Sequence, residues 1–374
     1  MIDFGTQRYA FFALGAAALF GAGTPIAKLL LQDIEPAMLA GLLYLGSGIG
    51  LFMARLAGRA IRHAGYATAA EGHAPHQARP PIDRAHIGWL AAAIASGGVV
   101  APLLLMWGLS RSSAAGASLL LNAESVLTTL LAALLFAEHV GRRVWLASLL
   151  MLGAGVLLSW SPDAASTFTL SSGALAVIGA CFFWGLDNNF TRRIAGGDAT
   201  TIAMAKGLVA GTVNLLLALA VTKPGSLWPP WGAVAGALLL GAFAYGVSLV
   251  LYVRALRHLG SARTGAHFAT APFVGAGIAL LMGEPAAPVF LIALALMVLA
   301  TWLVLTERHA HSHRHEALAH SHPHVHDEHH HHRHDSAQLE AEARAGKAHT
   351  HFHVHEPLTH LHPHLPDLHH RHVH

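Results

Sequence analysis

The sequence predicts an all-α membrane protein: ten transmembrane helices in two inverted five-helix repeats, followed by a disordered C-terminal tail. Three observations lead there. Apolar residues make up 54% of the 374 residues and charged residues only 11%, whereas a soluble domain carries about 25% charged residues. So few charges do not cover a soluble surface of this size. The apolar residues gather into runs that suit membrane helices of about 20 residues. The run Ser113–Glu138 also returns at Leu259–Glu284. With Glu138 set on Glu284, Arg111 falls on Arg257, Ala123 on Ala269, and Ala133-Leu134-Leu135 on Ala279-Leu280-Leu281.

The first repeat, residues 9–160, holds five expected spans: Tyr9–Leu31, Pro36–Leu56, Ile87–Leu109, Ser113–Glu138 and Val144–Trp160. The first is too long for the 7–15-residue core of a signal peptide and is read as an uncleaved helix. A polar loop, Ala57–His86, carries Arg59, Arg62, Arg79, Arg84 and Pro80-Pro81. After a short connection, Ser161–Thr169, the second repeat occupies residues 171–305. Its expected spans are Ser171–Phe190, Thr200–Val221, Trp231–Val253, Ser261–Met282 and Pro288–Leu305. The single Cys181 lies in an apolar span and has no partner within the chain.

Orientation follows from the basic residues, which favour the cytoplasmic side. With the N-terminus inside, the inner segments hold Arg8, Arg55, Arg59, Arg62, Arg79, Arg84, Arg142, Arg143, Arg192, Arg193, Arg254, Arg257 and Arg263. The outer loops hold only Arg111 and Lys223. Both termini are therefore expected in the cytoplasm and the chain in the inner (plasma) membrane. Five helices per repeat is an odd number, so the second repeat enters upside down. Inverted repeats place a substrate site near the midplane and let the protein open alternately to each side.

Beyond Thr306 the composition changes. The tail, 307–374, contains 24 of the 31 histidines, many in alternation: His349, His351, His353 and His355, then His360, His362 and His364. Its low apolar content predicts disorder in the absence of a ligand. Neutral imidazoles bind Zn²⁺, Ni²⁺, Cu²⁺ and Co²⁺, and alternate residues of an extended chain share one side. A divalent transition metal is thus a candidate ligand of the tail, although the core requires no cofactor. Two segments, His315–His320 and His355–His360, read His-Glu-x-x-x-His. That is one residue too long for the i,i+4 zinc-protease pair, so no enzyme is read from them. Nothing in the charge pattern calls for nucleic acid.

The duplicated halves, the endings Ala137-Glu138 and Gly283-Glu284, and the starts Phe20-Gly21-Ala-Gly-Thr-Pro25-Ile-Ala-Lys28 and Trp184-Gly185-Leu-Asp187-Asn188-Asn189-Phe-Thr-Arg192 carry a family resemblance. Over about residues 10–305 the chain resembles the drug/metabolite transporter superfamily, in its ten-helix EamA-type branch. The resemblance implies a secondary carrier, commonly an exporter of metabolites, amino acids or drugs, and leaves the substrate open. The chain departs from the family at Glu124-Ser125-Val126, which stands where the second half has Thr270-Ala271-Pro272-Phe273, and in the long histidine-rich tail.

Within the spans, Glu124 is the first candidate. A carboxylate at that depth is costly unless it is paired, protonated or facing water. It is read as a coupling group or substrate ligand, with Asn122 and Ser125 beside it, or else as a protonated interhelical contact. Asp187, with Asn188 and Asn189, is placed at a depth where it can meet Lys206; its alternative partners are Arg192 and Arg193. Lys28 is expected to snorkel toward the outer interface, or to line a cavity near Pro25. His267 is a candidate ligand or a plain helix contact. Pro25, Pro102 and Pro272 are expected helix breaks, and Glu138 and Glu284 are expected at a turn or gate. Three functions remain open: export of a small metabolite or drug, transport of a Ni, Co or Zn ion gathered by the tail, and a membrane metal sensor that transports nothing.

Overall fold

The computed structural model describes the backbone at residues 4–63, 84–136, 142–159, 171–194, 199–221, 228–306, 310–315, 318–324, 349–355 and 358–363. The chain forms two compact units, the helices in one and residues 308–366 in the other. The readings on Glu138, His364 and the arginine-rich loop beyond His63 lie outside the described residues, as do the side chains of Arg192 and Arg193.

The first helices are α1 (Phe4–Leu30) and α2 (Pro36–His63). Pro25 was expected to break α1, yet the helix runs through it. The carbonyl that Pro25 leaves without its helical donor belongs to Gly21, and it lies against Gly275, where a Cβ would come within 2.6 Å. Close packing of a neighbouring helix is what lets a membrane helix tolerate an internal proline. Helix α3 (Arg84–Ala93) continues through a π-helical turn, Ile94–Val100, into α4 (Ala101–Ser110). Pro102 therefore does not break this span either. It withholds the N–H that would have met Gly98 O, and Asn214 Nδ2 donates to that oxygen instead at 2.9 Å. Next to it, Gly97 O accepts from Tyr44 Oη at 2.7 Å and Trp184 Nε1 at 3.0 Å.

The run Ser113–Glu138 was expected as one helix. It is divided at Leu121-Asn122 into α5 (Ala114–Leu120) and α6 (Ala123–Phe136), with no proline at the break. Side chains satisfy the carbonyls there: Asn122 Nδ2 donates to Leu119 O at 3.0 Å, and Cys181 Sγ to Leu120 O at 3.6 Å. Then come α7 (Arg142–Ser159), α8 (Ser172–Arg193), α9 (Ala199–Val221) and α10 (Trp231–Leu240). A second π-helical stretch, Gly241–Val247, leads into α11 (Ser248–Phe268). The connection expected between Val253 and Ser261 is thus helical, because Arg254, Arg257 and His258 do not interrupt a helix as proline would. The expected break before Pro272 is present: α11 ends at a turn over Ala269-Thr270, and α12 (Ala271–Leu281) begins with that proline in its first turn. Helix α13 (Pro288–Leu305) closes the unit.

Six helical stretches among the described residues are long and apolar enough to cross a membrane, and three shorter apolar helices accompany them. This is a helical, multi-pass membrane protein. Its interior rests on long helix pairs: α2 with α9, α1 with α11, α7 with α13, and α4 with α8. The α2–α9 pair is closest at its glycines. A Cβ on Gly207 would stand 2.8 Å from Gly48 N, and one on Gly48 would stand 2.6 Å from Leu208 N. Small residues let membrane helices approach this far, so that dispersion does the work that the hydrophobic effect does in water.

The tail corrects the expectation of disorder in four segments. β1 (Ala310–His315) pairs antiparallel with β4 (Leu358–Pro363), and β2 (Leu318–His324) with β3 (His349–His355). Alternation of histidine with Thr350, Phe352, Val354, Thr359 and Leu361 is a period-two pattern rich in strand-forming residues. Composition had outweighed that pattern in the expectation.

Candidate functional site

Glu124 stands in the first turn of α6, two residues past the break. Its Oε1 accepts from Asn188 Nδ2 at 2.9 Å, and the same amide reaches Thr128 Oγ1 at 3.2 Å. Asn188 is exposed, whereas Asp187 and Asn189 on either side of it are buried. Glu124, half-buried, thus meets an exposed amide at the edge of the packed interior. Asn189 serves packing: its Nδ2 donates to Thr128 O at 3.0 Å and Gly185 O at 2.8 Å. Asn122, two residues before Glu124, holds the break and does not touch Glu124 in any described hydrogen bond.

Asp187 and Lys206 meet, as their expected depths required. Lys206 Nζ donates to Oδ1 and Oδ2 at 2.5 and 2.6 Å, and Thr191 Oγ1 adds a bond to Oδ1 at 2.9 Å. The backbone of the first π-helical turn makes room for the pair, because any Cβ on Gly97 would collide with the Asp187 carboxylate. Glu124 is tied to the same region through Asn188, the residue next to Asp187. Ionisable side chains from α6, α8 and α9 therefore gather in one place, with Asp187 and Lys206 as the ion pair.

Aromatic residues extend the site in a way the linear sequence did not announce. Tyr44, Tyr245, Phe20, Phe268 and Tyr252 make a continuous row, with successive ring centroids 5.9, 5.6, 5.4 and 5.0 Å apart. All five are half-buried. The rings come from four distant stretches of chain, so only a spacing that ignores sequence separation could have found them. His267 lies half-buried beside Phe268 in the last turn of α11, and Thr270 Oγ1 donates to its carbonyl at 2.6 Å.

Lys28 does not snorkel. Its Nζ donates to Leu109 O at 2.7 Å and Ser110 O at 3.3 Å, closing the C-terminus of α4, where a cation suits the carbonyl end. Glu284 is the counterpart at the start of α5: it accepts from Ala114 N at 2.7 Å and Ala115 N at 2.8 Å. Ser113 Oγ accepts from Gly116 N at 3.0 Å. The break between α4 and α5 is thus held from outside by one base and one acid. Among the described side chains of the helical unit, no three His, Cys, Asp or Glu converge as metal ligands.

A helix break at Leu121-Asn122, a buried acid–base pair and a row of aromatic rings are what this helical membrane protein presents. The EamA-like transporter family matches the chain twice, over residues 7–160 and 171–306. The chain belongs to that family, within the drug/metabolite transporter superfamily. An uncharacterized transporter of Methanothermobacter thermautotrophicus is 29% identical over 274 residues, covering 72% of this chain and 78% of the relative. A solved crystal structure shares the fold with a TM-score of 0.54 at 19% identity, covering 79% of this chain and 95% of the other.

Proposed function

We infer that the protein is a secondary carrier, and no enzyme, that exports a small organic metabolite or drug across the inner (plasma) membrane by alternating access. Ten spans in two inverted halves, with both termini in the cytoplasm, complete this reading. It is supported by the doubled family match and by the basic residues gathered on one side. Glu124 carries it: a half-buried carboxylate at a helix break, held by one amide from the exposed Asn188. An ionisable side chain inside a membrane span is costly and marks a substrate or ion pathway by default. The aromatic row offers apolar faces to a substrate whose polar end meets Glu124. The histidine-rich tail belongs to the same reading as a metal-binding appendage.

Reconstitution in proteoliposomes tests the carrier. Compounds that raise the thermal stability of the purified chain are loaded inside, and counterflow is followed. Glu124→Gln is expected to insert and fold like wild type and to lose coupled flux. Wild-type flux in that variant would reduce Glu124 to a structural contact, and flux of no compound would leave a sensor rather than a carrier. If Zn²⁺, Ni²⁺ or Co²⁺ alone is the transported species, the tail gathers the substrate and the metabolite reading fails.

A further inference from the structure

The tail is not a random histidine tract. Residues 311–324 read His-x-His-x-His-Glu-x-Leu-x-His-x-His-Pro-His, and residues 351–364 repeat that pattern at every named position. Composition bias alone does not reproduce the glutamate, leucine and proline at matching places. The strand register then sets the two copies against each other. In the β2–β3 ribbon, His320 is opposite His353, His322 opposite His351 and His324 opposite His349. In the β1–β4 ribbon, His311 is opposite His362 and His313 opposite His360.

Successive residues of a strand alternate between faces. His320, His322, His324, His349, His351 and His353 therefore share one face of the β2–β3 ribbon, and Ala319, Ser321, Pro323, Thr350, Phe352 and Val354 occupy the other. Likewise His311, His313, His360 and His362 share a face of β1–β4. Directly opposed residues have Cβ atoms about 5 Å apart, and two neighbouring pairs bring four histidine positions together on one face of the ribbon. Four nitrogen ligands satisfy a tetrahedral late first-row dication. The two positions where histidine faces leucine, His315 with Leu358 and His355 with Leu318, are the same position of the motif in its two copies. The duplicated motif thus pairs with itself in a symmetric way.

We propose that the two copies of the motif form a paired-strand metal site, in which Zn²⁺ or a similar dication is held by opposed histidines from residues 311–324 and 349–362. This rests on the reading of the tail as metal-binding and adds that the ligands come in cross-strand sets. Each ribbon supplies at least one set of four, so about two ions bind tightly per chain. The remaining histidines bind more weakly.

The test uses the full chain in detergent. Zn²⁺ is titrated by calorimetry, and Co²⁺ absorption reports tetrahedral ligation. His320, His322 and His324 are replaced together by alanine in one variant, His349, His351 and His353 in a second, and all six in a third. Either triple replacement is expected to remove the same tight ion, lowering the affinity of that site about 100-fold or more, since losing outer-shell support alone costs 10–100-fold. The six-fold variant is then expected to lose no further tight ion. A Ser321→Cys/Phe352→Cys pair, which is in register, is expected to be bridged by a short bis-maleimide, each thiol adding across one maleimide double bond, more fully with Zn²⁺ than without, and more than Ala319→Cys/Thr350→Cys, which is out of register. Cys181 is buried and does not compete. Additive losses from the two triplets, or equal cross-linking of both cysteine pairs, overturn the paired-strand site while leaving the tail a binder of metal. Absence of any saturable Zn²⁺ binding overturns both.

Discussion

Neutralising one member of the Asp187–Lys206 pair has a different effect from neutralising the other, because the long Lys206 side chain is the more exposed of the two and can turn its ammonium toward water. Lys206→Met leaves the buried Asp187 carboxylate with Thr191 Oγ1 as its remaining described donor. Asp187→Asn leaves Lys206 with Thr191 Oγ1 and a route to water. The side chains of the pair are 17% and 9% exposed, and removing one partner of a buried ion pair costs about 3–5 kcal/mol. The partial exposure of Lys206 argues for the low end, about 3 kcal/mol for Lys206→Met. Asp187→Asn is expected to cost less, about 2 kcal/mol, because the freed ammonium can be hydrated and the Thr191 contact survives. The double variant is expected to recover most of the loss, since no unpaired charge of the pair remains. The assay is equilibrium unfolding in mixed micelles with increasing SDS, followed through the eight tryptophans. Losses that add within about 0.5 kcal/mol, the tolerance of independent sites, would falsify the coupled pair. Equal losses from the two single variants would remove the asymmetry assigned to the exposure of Lys206.

Other perturbations read other parts of the molecule. Glu284→Ala strips the acceptors from Ala114 N and Ala115 N, and Lys28→Met strips the donor from Leu109 O and Ser110 O; each is expected to cost about 1.5–3 kcal/mol, the range for bonds to a charged group. Unfolding curves that match wild type would show that neither side chain holds the α4–α5 break. Gly207→Leu is expected to abolish monodisperse protein on size exclusion, because its side chain has no room against α2, whereas Gly232→Leu, which meets nothing within 4 Å, is expected to elute normally. Equal behaviour of the two would remove the close α2–α9 contact. A reporter fused after His374 is expected to be active only when it reads the cytoplasm, and activity on the outer side would invert the orientation.

Much of this protein was legible as a line of letters. Few charges and long apolar runs require a bilayer, since the energy of exposing or burying such segments depends on composition and length alone. The placement of Asp187 and Lys206 at one depth followed from counting residues along neighbouring helices, because a helix rises by a fixed amount per residue. Their contact, at 2.5 and 2.6 Å, agrees with that count.

What the sequence did not determine depends on neighbours distant along the chain. Pro25 and Pro102 were expected to break helices and do not, since a freed carbonyl is tolerated wherever another helix supplies close packing or a donor such as Asn214 Nδ2. Leu121-Asn122 breaks a helix without proline because Cys181 and the Asn122 side chain satisfy carbonyls at the turn. Lys28 was assigned to water and instead bonds α4, a choice open to a long side chain until its surroundings are known. Composition argued for disorder in the tail, yet strand pairing sets histidine against histidine, and register belongs to two segments at once. In each case local chemistry left two outcomes nearly equal in energy, and the tertiary partner of a backbone carbonyl, a charge or a strand decided between them.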